Sequence, residues 1–124
     1  VQDSESLSPL LERLVEETPQ MRKLALDTLG ALGNKRAVPA MIELLKDIDI
    51  LIRQKATEFI IEMANSNVVS NMINLMKDED VSVRRSAVKV LNNLKDQRTS
   101  DALIKAIKDS DWWVRQIARN PLRT

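Results

Sequence analysis

This chain of 124 residues divides into four blocks of 31 residues whose columns agree without an insertion. A fixed period of this length is typical of repeat proteins, in which each copy is one supersecondary unit. Two columns are identical in every copy, namely Arg22, Arg53, Arg84 and Arg115, and Ala25, Ala56, Ala87 and Ala118. Columns that hold only apolar residues include Leu10, Met41, Met72 and Leu103; Leu11, Ile42, Ile73 and Ile104; Leu14, Leu45, Met76 and Ile107; and Met21, Ile52, Val83 and Val114.

Each block predicts two helices, and the second block shows them most clearly. Apolar residues at helical spacing predict a first helix over about 35–46 and a second helix over about 50–63. The side chains expected on the buried side of that second helix are Ile52, Ala56, Phe59, Ile60 and Met63. Residues whose side-chain oxygens can cap helices form two columns: Asp3, Asn34, Asn65 and Asp96 before the first helices, and Thr18, Asp49, Asp80 and Asp111 before the second.

Stacking of these helical hairpins follows from their amphipathic character. One hairpin cannot bury its apolar stripe alone, whereas stacked copies form a continuous core, so three or more repeats are needed for stability. The alanine column allows neighbouring backbones to approach closely. We therefore predict an all-α fold in which residues 1–124 form a single domain, with repeats at about 3–33, 34–64, 65–95 and 96–124.

Both ends of the chain carry apolar residues that a terminal repeat would normally shield with a polar outer face. The sequence also begins VQDSES, without an initiator methionine. We therefore expect a fragment of a longer protein, and self-association through the uncapped ends is a second possibility. The end residues concerned are Leu7, Leu10, Leu11, Val114, Ile117 and Leu122.

Composition disfavours several classes of function. The chain has no Cys and therefore no thiolate ligand for a metal. It also has no His, which is the commonest metal ligand and the commonest general base near neutral pH. We accordingly predict no enzyme activity, no metal and no cofactor. No apolar run approaches the roughly 20 residues of a membrane span, and a net charge of +1 disfavours nucleic acid as the partner. The expected compartment is the cytoplasm.

An acidic column precedes the arginine column by six residues in every block. A carboxylate and a guanidinium could serve catalysis, but a pair repeated in every unit is better explained as a ladder that joins repeats. Arginine suits this role because its planar fork can engage a carboxylate and loop carbonyls together. The predicted ladder residues are Asp47, Arg53, Asp78, Arg84, Asp109 and Arg115, with Glu16 and Arg22 as a variant pair.

The strings LGNKRAVPAMIELLKDIDILIRQKA, KDEDVSVRRSAVKVL and IKDSDWWVRQIA resemble HEAT repeats of the short type named after phycobilisome lyases. The resemblance covers about residues 3–118 and implies a right-handed α-α superhelix with an inter-repeat Asp–Arg ladder. It also implies that the second helices line a concave, partner-binding side. One departure is Pro121, which should break the last helix where the second block has Phe59.

The outward positions of the second helices vary between blocks, unlike the core columns. Such variation indicates that this face either binds a partner or is only exposed to solvent. Residues 1–62 carry 8 Lys and Arg against 11 Asp and Glu, whereas residues 63–124 carry 11 against 7, so an anionic partner could dock late in the array. The outward columns are Lys23, Gln54, Arg85 and Gln116; Asp27, Glu58, Lys89 and Asn120; and Gly30, Ile61, Asn92 and Arg123.

Trp112 and Trp113 open the last second helix. Tryptophan is enriched at binding hot spots, but equivalent positions are aliphatic, so we expect at least one indole to pack over the inter-helix turn. The leading hypothesis is a non-catalytic scaffold that binds another protein through the second helices. The alternatives are a bilin-handling, lyase-like protein and a nucleic-acid-binding protein. The predicted partner-binding residues are Gln54, Glu58, Arg85, Lys89, Trp112, Trp113, Gln116 and Arg119.

Overall fold

The computed structural model describes residues 9, 11–14, 18–63, 68–94 and 97–119, and within these ranges it contains helices and turns but no β-strand. Single 3₁₀ turns at Lys35–Ala37 and Leu44–Lys46 extend the first helix of the second repeat at both ends. The predicted spans 35–46 and 50–63 are therefore confirmed. The helices are α1 Pro19–Leu32, α2 Val38–Glu43, α3 Ile50–Met63, α4 Val69–Leu75, α5 Val81–Asn93, α6 Gln97–Ala106 and α7 Trp112–Arg119.

The capping column is confirmed at all four second helices, which are α1, α3, α5 and α7. The Thr18 hydroxyl accepts a hydrogen bond from the Met21 amide at 3.4 Å. The Asp49 and Asp80 carboxylates accept from amides two residues later, each at 2.8 Å, and Asp111 accepts from the amide three residues later at 3.0 Å. Each cap satisfies an N–H group that the first helical turn would leave unpaired. Among the first-helix caps, Asn34 accepts from the Arg36 amide at 2.9 Å, and Asp3, Asn65 and Asp96 lie outside the described residues.

The chain divides into two compact units, Val1–Met63 and Ala64–Thr124. In the first unit α3 packs against α1 and α2, and in the second unit α5 packs against α4, α6 and α7. α3 and α5 thus each contact the other helices of their unit and supply much of its core. Fully buried side chains include Leu26, Leu29, Met41, Leu45, Ile52 and Ile60 in the first unit, and Val83, Val88, Val90 and Leu91 in the second.

The alanine column is buried throughout, with exposed fractions between 0% and 6%. Ala118 shows the reason most directly, because it shares a cluster with Val88 of α5, Ala106 of α6 and Val114 of its own helix. A methyl group fills the space between adjacent helices at this position. Larger side chains would push these helices apart.

Two positions differ from the sequence-based expectation. Gly30, predicted to face outward, lies beneath the Phe59 ring, and a Cβ there would approach the ring Cζ to 2.3 Å. It is a close-approach position between α1 and α3, and Phe59, expected on the buried side, is half-buried. Ile104 belongs to an apolar column but is 62% exposed.

Candidate functional site

Arg84 makes the most completely described set of ladder contacts. Its Nε donates to Asp109 Oδ2 at 3.1 Å and its Nη2 donates to Asp109 Oδ1 at 3.4 Å. Its Nη1 donates to the backbone carbonyls of Asp78 and Glu79 at 2.8 Å and 3.1 Å. The two charged side chains are only 15% and 12% exposed. One guanidinium therefore ties the turn of its own repeat to the carboxylate of the following repeat.

The first unit contains the same arrangement. Arg22 Nε donates to Asp47 Oδ2 at 2.8 Å, and Arg22 Nη2 donates to Asp47 Oδ1 at 3.0 Å. Arg53 Nη1 donates to the Asp47 carbonyl at 2.5 Å. Asp47 Oδ1 also accepts from the Asp49 amide at 2.9 Å, which shapes the turn before α3. In the second unit, Arg115 Nη1 donates to the Asp109 carbonyl at 2.8 Å.

The carboxylate–arginine pairs seen in the structure are not the pairs that stand six residues apart in the sequence. The arginine of a repeat contacts the acid six residues before it through that acid's backbone carbonyl. The carboxylate itself is engaged by the arginine 25 residues earlier, as in Arg22–Asp47 and Arg84–Asp109. Column analysis could not assign these pairs, because every repeat offers the same acid and the same arginine. Glu16, the variant acid, lies outside the described residues.

A second ion pair joins the third and fourth repeats near the ladder. Arg85 Nε donates to Asp111 Oδ2 at 2.9 Å, and Arg85 Nη2 donates to Asp111 Oδ1 at 2.8 Å. Arg85 was predicted as a partner-binding residue, but its charge is already compensated within the chain. The hydrogen bonds from Arg85, together with the amide of Val114, lower the pKa of the Asp111 carboxyl to about 2.

Replacing Asp111 with asparagine should expose the contribution of this ion pair to stability. Asparagine caps helices as well as aspartate does, so the change removes mainly the charge. Because the folded-state pKa is depressed, the contribution is present above about pH 4 and is lost as the pH falls towards 2. We expect a loss of about 1 kcal/mol at pH 7, small because Arg85 remains 40% exposed. Urea unfolding of both proteins from pH 7 to pH 3 would measure it. A difference that stayed constant with pH would contradict this assignment.

The remaining candidate residues lie on the second helices. Gln54 and Glu58 on α3 are exposed, as are Lys89 on α5 and Arg119 on α7, whereas Gln116 is half-buried. In the first unit the neighbouring position Asp27 pairs with Lys55 at 3.3 Å and with Lys23 at 3.7 Å. Basic side chains of that unit's second helices are therefore partly neutralised by their own neighbours. Asn120 and Arg123 lie outside the described residues.

A groove between α5 and α7 brings together candidate residues in the second unit. Its volume is about 270 Å³. Asn92, Asn93 and Ile117 were not among the predicted partner-binding residues, although Asn92 belongs to an outward column. Asn93 Nδ2 donates to the Lys89 carbonyl at 2.9 Å. The residues that line this α5–α7 groove are Lys89, Asn92, Asn93, Trp113, Gln116 and Ile117.

The two tryptophan rings contact each other. Their ring centroids are 4.8 Å apart and their planes meet at 80°, an edge-to-face arrangement. Each indole is 54% exposed, so neither belongs to the buried core. Position in sequence cannot distinguish a buried from an exposed aromatic at the first turn of a helix. Mutual packing restricts both rings while it leaves much of each surface available.

None of the described helices is both long enough and apolar enough to cross a membrane. In the part of the chain that the structure describes, no cluster of acidic side chains could hold a metal ion. What the geometry defines is a helical-repeat protein: capped hairpins of constant length, a buried alanine column and arginines that join successive repeats.

Comparison with known proteins agrees with that class. The family described as HEAT repeats matches residues 7–66 and 49–123, and the chain belongs to this family. The predicted resemblance and the predicted all-helical α-α superhelix class are thereby confirmed. No curated protein matches the chain in sequence.

Two solved structures show the same fold. One is the complex of CpcE and CpcF of phycocyanin lyase from Nostoc sp. PCC7120, with a TM-score of 0.64 and 22% identity over 94% of this chain and 75% of that chain. The other is an engineered protein, with a TM-score of 0.53 and 17% identity over 91% of this chain and 59% of that chain. Identities this low establish the fold alone.

Proposed function

We propose that the chain is a non-catalytic scaffold that binds another protein through its second helices. The observation that carries this proposal is the α5–α7 groove, where exposed and half-buried residues of two second helices line one recess. Arg84 on α5 pairs with Asp109 in the turn before α7, so the two helices that line the groove are joined before any partner binds. Preorganisation of this kind lowers the entropic cost of association.

Two further observations support a partner-binding role. The buried columns are nearly constant between repeats, whereas the exposed second-helix positions differ in charge and size. One structurally similar protein is itself a complex of two proteins. The proposed compartment is the cytoplasm, where a chain without cysteine has no disulfide to lose under reducing conditions.

Site-specific photo-crosslinking would test which face binds. A crosslinking amino acid placed at Glu58 or Arg119 reports on the second helices of each unit. Matched controls at Glu43 and Lys105 report on exposed positions of the first helices in the same units. We expect protein adducts from positions 58 or 119 that excess unlabelled chain suppresses, and none from positions 43 and 105.

Equal crosslinking from both faces would contradict the proposal, because binding would then not be selective for the second helices. Adducts formed only with nucleic acid would contradict it as well. Each crosslinker position is exposed, so substitution there should leave the fold intact. Urea unfolding of every variant would verify this.

A further inference from the structure

Basic residues of α5 and α7 are not balanced by any acid on the same helices. The two helices carry Arg84, Arg85, Lys89, Arg115 and Arg119 and no Asp or Glu. Asp109 and Asp111 compensate the first two, and Arg115 donates to backbone carbonyls. Among the described residues, no ion pair engages Lys89 or Arg119.

The second helices of the first unit do carry acidic residues, so the excess of basic residues is particular to α5 and α7. The second helices α1 and α3 carry three acids, and Asp27 there pairs with two lysines. Charge complementarity in the second unit therefore calls for an anionic group supplied from outside. Lys89 is the cation that lines the groove, and Arg119 lies one helical turn beyond Gln116.

The groove also contains groups that match a polypeptide backbone. Gln116 carries an amide, and Asn93 has an amide oxygen beside the Nδ2 that donates to the Lys89 carbonyl. Such groups donate and accept hydrogen bonds as peptide groups do. A helical segment has few free peptide groups to offer them, whereas an extended segment offers one N–H and one C=O at each residue. The volume of about 270 Å³ falls below the range of roughly 300–1,000 Å³ that is usual for small-molecule sites. It suits one side chain of a longer ligand.

Trp113 provides an apolar contact beside the cation. Its indole is 54% exposed and is held edge-on against Trp112. A restrained, exposed tryptophan at the rim of a recess is the type of residue that dominates binding energies at protein interfaces. Nucleic acid is less well matched, because affinity for phosphates grows with the number of cations and only Lys89, Arg115 and Arg119 on these two helices lack an acidic partner among the described residues.

We propose that the α5–α7 groove binds an extended acidic peptide segment of a partner protein. A carboxylate of the segment pairs with Lys89, and a neighbouring apolar side chain packs on Trp113. This inference rests on the proposed scaffold function and specifies the kind of partner. The ion pair with Lys89 and the apolar contact with Trp113 would act together, so a peptide with an acidic residue but no adjacent apolar residue should bind weakly.

Selection from a phage-displayed random-peptide library on the intact chain tests the inference. Peptides with Asp or Glu beside an apolar residue should be enriched, and their affinity should be measured by fluorescence anisotropy. Lys89→Glu and Trp113→Ala should each weaken binding by about tenfold or more. Lys89→Arg should retain binding, and Lys105→Glu, the same charge change on an exposed first-helix residue, should have no effect.

Several outcomes would overturn the inference. These are enrichment of basic peptides, absence of any enriched peptide, indifference of binding to Lys89→Glu, or tighter binding of a single-stranded oligonucleotide than of the selected peptides. Failure here is distinguishable from failure of the scaffold function. If crosslinking stays selective for the second helices while these peptides fail, the chain is a scaffold with a different type of ligand.

Discussion

Replacement of Arg84 by alanine is expected to lower the free energy of unfolding by about 3 kcal/mol. The change leaves the Asp109 carboxylate, 12% exposed, without its guanidinium. It also leaves the carbonyls of Asp78 and Glu79 without the Nη1 donor. Uncompensated groups of this kind cost more than the net value of the ion pair itself. Urea unfolding at neutral pH would measure the loss.

Arg84→Lys separates geometry from charge in this experiment. Lysine keeps the positive charge but has no planar fork with which to reach a carboxylate and two carbonyls at once. We expect it to recover less than half of the stability lost in Arg84→Ala. Recovery of most of the stability would show that charge alone matters, and an unchanged midpoint in Arg84→Ala would exclude a ladder role for this residue. We expect the affinity of the folded Arg84→Ala variant for the selected peptides to change little, although its free energy of unfolding falls.

Ala87→Leu is expected to destabilise the chain by about 1–3 kcal/mol through overpacking. Ala87 is completely buried on α5, the helix that packs against α4, α6 and α7. Three additional carbon atoms at this position have no space unless a neighbouring helix moves. The same substitution at Ala56 on α3 should behave alike, because that residue is also completely buried.

Lys89→Leu is the matched control for this overpacking. It places the same side chain two residues away on the exposed side of α5, where we expect a change within about 0.5 kcal/mol. Thermal and urea unfolding of both variants would separate packing from a general effect of leucine. An Ala87→Leu protein with an unchanged melting temperature would contradict the assignment of this column to the core.

Much of the local structure could be predicted because it depends on short-range patterns. The caps at Thr18, Asp49, Asp80 and Asp111 were predictable because an N-cap oxygen needs only the amides of the next three residues. The burial of the alanine column was predictable because it recurs at helical spacing beside apolar columns. Predictions that required knowledge of a neighbour were less successful. Gly30, expected to face outward, lies under Phe59, and Arg85, expected to be available, pairs with Asp111.

Periodicity in the sequence was sufficient by itself to determine the class of this protein, because one hairpin repeated at constant length can bury its apolar stripe only by stacking. Tertiary structure decided which arginine meets which carboxylate, since four equivalent repeats offer identical candidates and only packing selects the pair 25 residues apart. It also decided that Lys89 and Trp113 line one groove. That juxtaposition depends on the separation of α5 and α7 in space, for which the order of residues in the chain carries no direct signal.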